Sequence, residues 1–233
     1  MSAAITDDTS PVHEKVYRQL REAIAAGRFA PGVALTIRGI AENLGVSPMP
    51  AREAIRRLVA ERALEMHENR RVSVPRMTRD KFDELVAART LLEPEAAVRA
   101  LPHCDAALAR ELKRIDAEID VALANGDGES YMLKNRAFHF TLYRAAKSQV
   151  LVPLIESLWL QSGPFMRVVY GRIGTSYVID QHKAAVAAIG RGDAEALHAA
   201  IRADILDGMS IIGRVVLDGD GAVAGTRSAG QPG

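Results

Sequence analysis

In the second half of the chain, polar side chains interrupt helical stretches that are otherwise largely apolar. Asn135 and His139 are four residues apart, so on a helix both point the same way. His182 sits beside Ala184, Ala185 and Val186, inside a stretch read as helix, and Asp204 lies among Ala200, Ile201, Ile205 and Leu206. Together they offer two imidazole nitrogens and two oxygens. That set suits Zn²⁺ or Ni²⁺ and discriminates poorly among divalent ions. One at a time, the same residues have a plainer reading as hydrogen-bonded members of a helical core. In the first third, Arg52 and Arg56 are also four apart, opposite the apolar stripe Ala51, Ile55, Leu58 and Val59. Guanidinium groups so placed can reach guanine edges bidentately or clamp phosphate, or they can simply form a solvated face.

The elements needed to position these groups are legible around them. Ser10-Pro11 opens a helix whose apolar positions are Val12, Val16, Leu20, Ala23 and Ile24, and Gly27 stops it. Ala30-Pro31-Gly32 is a turn and Leu35 belongs to a short strand. Ile37, Ile40, Ala41 and Leu44 form the apolar face of a second helix that breaks at Gly45, and Ser47-Pro48 caps and opens a third. Two helices joined by so short a turn make a helix-turn-helix. Leu64-Glu65-Met66-His67 and Arg71-Val72-Ser73-Val74 alternate around Glu68-Asn69-Arg70, which predicts a two-stranded hairpin with a basic tip. Asn69 tolerates positive φ there, and Arg70 and Arg71 can enter a minor groove.

From Thr78 the pattern is helical, with segments expected near 78–101, 105–124, 128–146, 149–161, 163–172, 175–190 and 193–213. The breaks fall at Pro102, Asn125 to Gly128, Lys147-Ser148, Gly163-Pro164, Gly174 and Gly190 to Asp193. This predicts an antiparallel bundle of about seven helices behind a winged helix-turn-helix, hence a mainly α protein. The expected divisions are 10–76, 78–213 and a disordered Gly/Ala-rich tail over 218–233.

Bulk properties fit this outline. The 233 residues carry a formal net charge of +1, divided as +3 over residues 1–76 and −2 over 77–233. Any anion-binding surface therefore falls in the first third. Apolar runs are too short for a membrane span, the N-terminus lacks the pattern of a secretory signal, and Cys104 has no partner for an intramolecular disulfide. A cytoplasmic protein is expected.

The segment from Val12 to about Pro75 resembles the DNA-binding domain of the GntR family. The likeness rests on Gly27-Arg28-Phe29-Ala30-Pro31-Gly32, Leu35, Ile40-Ala41, Leu44-Gly45-Val46-Ser47 and Pro50-Ala51-Arg52-Glu53-Ala54-Ile55. It implies that Arg38 and Arg52 read bases or phosphates, with Ser47 and Met49 near the groove. Pro48 stands where a basic residue often follows the serine, and Asn69-Arg70-Arg71 replaces the usual glycine of the wing tip.

Residues 79–213 resemble the ligand-sensing FCD domain of the FadR subgroup. The carriers are Arg89-Thr90-Leu91-Leu92-Glu93, Ala96-Ala97, Phe138-His139 with Leu142 and Ala145-Ala146, His182 with Ile189, and Gly192-Asp193-Ala194-Glu195. The subgroup commonly holds a metal through one Asp and three His, and the metal anchors a carboxylate effector. By position the Asp becomes Asn135, two His are His139 and His182, and the third becomes Asp204, an exchange of roles among the ligands. By the same likeness Arg89 faces the cavity, where an Arg fork suits a carboxylate, although an i,i+4 pair with Glu93 is an equal claim on it. Tyr143, Arg167 and Gln149 are further candidates to line the pocket.

The implied function is a homodimeric regulator, a repressor, that binds operator DNA and responds to an organic acid or sugar acid. Two rivals stand beside it. Two His and a carboxylate can activate water in a metal-dependent enzyme, and the same regulator can bind its effector without metal.

Overall fold

The computed structural model describes residues 11–67, 71–173 and 180–212. Helix α1 (Val12–Ala25) buries Val16, Tyr17, Leu20 and Ile24 against the buried face of α3 (Pro48–Ala60), made by Ala51, Ala54, Ile55 and Leu58. Between them lies α2 (Ile37–Leu44). Its first turn is capped by Thr36, whose hydroxyl accepts from the Gly39 N–H at 3.0 Å. Gly45 ends α2 at φ 63°, a left-handed conformation that lets the chain turn directly into α3. Ser47 occupies the cap position of α3, yet its side chain makes no capping bond and is exposed; Pro48 in the first turn sets the helical φ instead.

Strands β1 (Ala34–Leu35), β2 (Glu65–Met66) and β3 (Val72–Ser73) form one antiparallel sheet in the order β1-β3-β2. Leu35 and Met66 both pair with Val72. Val72 and Val74 close the core from the sheet side, so the wing hangs on a buried strand. The wing-tip residues Asn69 and Arg70, and the expected tail over 218–233, lie outside the described residues.

The second part comprises α4 (Arg79–Ala100), a short 3-10 turn (Leu101–His103), α5 (Ala106–Ala124), α6 (Gly128–Ala145), α7 (Leu151–Ile173), α8 (His182–Arg191) and α9 (Ala194–Ile212). Thr78, Asp105 and Asp127 cap α4, α5 and α6 by accepting backbone N–H groups three residues on. Helix α4 lies against α9 and α7, α5 against α6, and α8 against α9.

Two expectations change here. The break at Gly163-Pro164 does not occur, since α7 runs unbroken with Pro164 inside it. Burial explains the continuity. Leu160 enters the core built by α1–α3, while Phe165 and Val169 enter the bundle core, so packing on both sides holds one axis despite the missing N–H. Gly163 also lies so close to α1 that a Cβ there would stand 2.4 Å from the Ala25 carbonyl oxygen. The bundle therefore shows six helices among the described residues rather than seven. The second change concerns His182, which opens α8 instead of lying inside a helix.

Candidate functional site

Two sites need to be built, one on the outside of α3 and one inside the bundle. On α3, Arg52 is exposed, and Arg56 leans on Glu53 at 3.7 Å with most of its side chain in solvent. Met49 is 73% exposed, an apolar group held in water at the start of the same helix. On α2, Arg38 is paired to Glu42 at 2.7 Å in full exposure. Such pairs contribute little to stability, so these arginines can exchange partners. Arg71 is exposed at the base of the wing, where its carbonyl accepts from the His67 N–H at 2.8 Å. Arg57 contrasts with all of them. It stacks over the Tyr17 ring at 3.6 Å and bonds Glu14 at 2.5 Å, which ties α3 to α1.

Inside the bundle, α6, α8 and α9 bring His139, His182 and Asp204 together, with ligand atoms all within 4.8 Å of one another. The two Nε2 atoms are 3.4 Å apart, and His139 Nε2 is 3.1 Å from Asp204 Oδ2. Tyr143 donates to Glu93 at 2.9 Å, so its oxygen accepts from His139 Nδ1–H at 2.9 Å. Burial and the adjacent Glu93 carboxylate push the Tyr143 phenol well above its usual range, keeping it a donor. Among the described residues the His182 Nδ1 has no hydrogen-bond partner, and it lies 3.6 Å from Asp180 and 3.7 Å from Asp116. Both rings thus turn Nδ1 towards oxygen and Nε2 towards the shared point, the orientation that second-shell oxygens impose on ligating histidines.

Burial lowers the His182 pKa and is only partly offset by Asp204, which favours the neutral, lone-pair-bearing ring. Burial also works to raise Asp204, but the adjacent His139 and His182 rings and the Gln181 N–H together outweigh it and hold the carboxyl down at about 2. The Asp204 position is fixed by the Gln181 N–H, which donates to Oδ1 at 2.9 Å. Asn135 lines a cavity that Asp204 borders and that neither histidine reaches, and its Oδ1 is buried with no hydrogen-bond partner among the described residues.

That cavity is about 50 Å³ and is bounded in part by Arg89, Asn135, Trp159, Tyr170, Asp204 and Met209. Arg89 is not free within it. Its Nε bonds Glu93 Oε1 at 2.5 Å and its guanidinium stacks on Trp159 at 4.4 Å. Trp159 Nε1 donates to the same carboxylate at 3.0 Å. Tyr143 lies behind His139 rather than on the cavity wall. Arg167 stands at Gly27 and 3.6 Å from Glu129, away from the cavity lining, and Gln149 is an exposed turn residue. Sequence reasoning saw Glu93 as one half of a pair and missed it as a hub for Arg89, Tyr143 and Trp159. It also passed over Asp116, although an Asp in the buried stripe Leu112, Ile115, Ile119 of α5 is a visible signal.

Residues 84–207 match the FCD domain, and residues 12–74 match the bacterial regulatory proteins of the gntR family. This chain belongs to the GntR family. It is a DNA-binding transcriptional regulator. Among its relatives, the HTH-type transcriptional regulator McbR of Escherichia coli is 30% identical over 159 residues, covering 68% of this chain and 72% of McbR. The gluconate operon transcriptional repressor of Bacillus subtilis is 28% identical over 187 residues, covering 75% and 74%. The solved structure of E. coli McbR superposes with a TM-score of 0.82 at 26% identity, covering 88% of this chain and 98% of that one. A putative GntR regulator from Rhodococcus sp. RHA1 gives 0.70 at 25% identity, covering 86% and 96%. Among the described residues no helix is long and apolar enough to cross a membrane.

Proposed function

We propose that this GntR regulator is a homodimeric repressor whose operator affinity is set by a small carboxylate held in the bundle at a divalent metal, Zn²⁺ or Ni²⁺. The observation that carries this reading is the pair of facing Nε2 atoms 3.4 Å apart beside Asp204, which also borders the cavity that Asn135 lines. Two imidazole lone pairs aimed at one point repel each other unless a cation or a proton lies between them. His139, His182, Asp204 and Asn135 would hold the ion, and Tyr143–Glu93 would back His139 from behind. A divalent ion with one carboxylate keeps net positive charge, which an organic acid completes. Because Glu93 already neutralises Arg89, the acid depends on the ion more than on that guanidinium. The name of one relative, the gluconate operon transcriptional repressor, favours a sugar acid.

Signal transfer has a direct route. A six-carbon acid is larger than a cavity of about 50 Å³, so admitting it would part the helices α4, α6, α7 and α9 that bound it, and Ala25 of α1 is part of the same wall. A coupling of about 1–3 kcal/mol between effector and DNA is the ordinary scale for such a device. On the outer surface, Arg52 and Arg56 would enter a major groove, with Arg38, Ser47 and Met49 beside them and Asn69, Arg70 and Arg71 on the wing. Two copies would address the halves of a pseudo-palindrome. The test is elemental analysis of chelator-free protein, paired with gel shifts. One divalent ion per chain, lost in His139→Ala, supports the metal. Metal-free protein that still answers carboxylates favours a metal-free effector site, for which the direct His139–Asp204 contact at 3.1 Å is the supporting observation.

A further inference from the structure

A cleft beside this inner cavity has a different character. It measures about 830 Å³, within the ordinary range of ligand sites, whereas the metal-side cavity holds only a few water-sized groups. One wall is α1, β1 and α2, with Leu20, Phe29, Ile40 and Leu44; the other is α6, with Met132, Leu133 and Arg136. Arg136 lines both spaces.

Arg136 is the anomaly. Its Nε is buried with no hydrogen-bond partner among the described residues, and the guanidinium rests on the Phe140 ring at 4.8 Å. Burial lowers its pKa, and Arg21 and Arg144 add repulsion that Glu156 and Glu22 only partly relieve. The cleft lining otherwise carries Arg28 against a single acid, Glu22, so the space is net cationic. An under-compensated guanidinium at the edge of an apolar floor suits an anion with an apolar body.

We propose that the cleft between α1–β1–α2 and α6 is a second ligand site, taking an amphipathic carboxylate or sulfonate whose anionic group pairs with Arg136. It is separate from the metal-side cavity and does not depend on metal being there. Since its two walls belong to the DNA-reading part and the bundle respectively, an occupant biases their relative placement.

The test uses the full-length protein and two fluorescent probes of similar shape: 1-anilinonaphthalene-8-sulfonate, which is anionic, and N-phenyl-1-naphthylamine, which is neutral. Titrations on folded wild type should give one saturable sulfonate site per chain. Arg136→Met keeps an unbranched apolar chain and removes the charge, and should weaken the sulfonate about tenfold or more while leaving the neutral probe within twofold. Asn43→Trp, at an exposed position on the cleft rim, should block both probes. His139→Ala should leave both unchanged. The proposal is overturned if Arg136→Met and Asn43→Trp both bind the sulfonate as wild type does. It is equally overturned if His139→Ala weakens the sulfonate as much as Arg136→Met, which would place the probe in the inner cavity. Chelator-free wild type that carries no metal yet still binds the sulfonate would count against the metal reading alone.

Discussion

Arg52 and Arg56 project from α3 into solvent with at most a loose intrahelical partner, whereas Arg89 on α4 is 5% exposed and held by Glu93 and Trp159. The first kind of arginine makes no firm commitment inside the protein and can be claimed by phosphate or a base edge. The second has its partner already, and the partner is shared. Glu93 is fully buried and takes hydrogen bonds from Arg89, Tyr143 and Trp159. Residue type alone does not assign a role in this chain; the number of bonds already satisfied does.

The sharpest way to break the comparison is Glu93→Ala. It leaves a buried guanidinium uncompensated and should cost about 3–5 kcal/mol of stability in urea titrations. If stability barely moves, the buried network is not what holds the bundle. Next in size is metal: adding Zn²⁺ at a hundred times its Kd to chelated protein should raise stability by about 2.7 kcal/mol, and Asp204→Ala should abolish the gain. Gly163→Ala pushes a methyl into the Ala25 carbonyl and should destabilise by about 1–3 kcal/mol, read as a lowered melting temperature. Arg52→Ala reverses the signature, weakening operator binding by about 1–3 kcal/mol while stability stays within about 0.5 kcal/mol. Smallest of all, Arg38→Ala should shift stability by no more than about 0.5 kcal/mol, since its pair with Glu42 is exposed, and any larger effect should appear only in gel shifts.

Much of this was legible beforehand because it rests on local chemistry. Gly45, Pro48 and the apolar stripe of α3 are local signals, and the helix-turn-helix follows from them. His139, His182 and Asp204 stood out as polar groups in apolar surroundings, and their convergence follows the family likeness. What escaped notice is non-local. Gly163-Pro164 reads as a break from its own residues, and only the packing of Leu160 and Phe165 on opposite sides keeps α7 whole. His182 reads as mid-helix because Ala184 to Ala188 continue the pattern, while the bonding of Asp204 to the Gln181 N–H fixes where α8 opens. Arg136 resembles any other surface arginine until α1 is set across from it.

The path of α7 limits how this regulator can be rearranged. Leu160 is 1% exposed, and it fills the interior of a unit whose other members end at Val74. A chain cut after residue 76 would therefore leave a hole where a leucine belongs. Grafting this DNA reader onto another sensor should succeed only if the new sensor supplies a leucine-sized plug at the same spot. The two halves are threaded together rather than merely joined by a linker, and recombination between relatives has to carry that plug along.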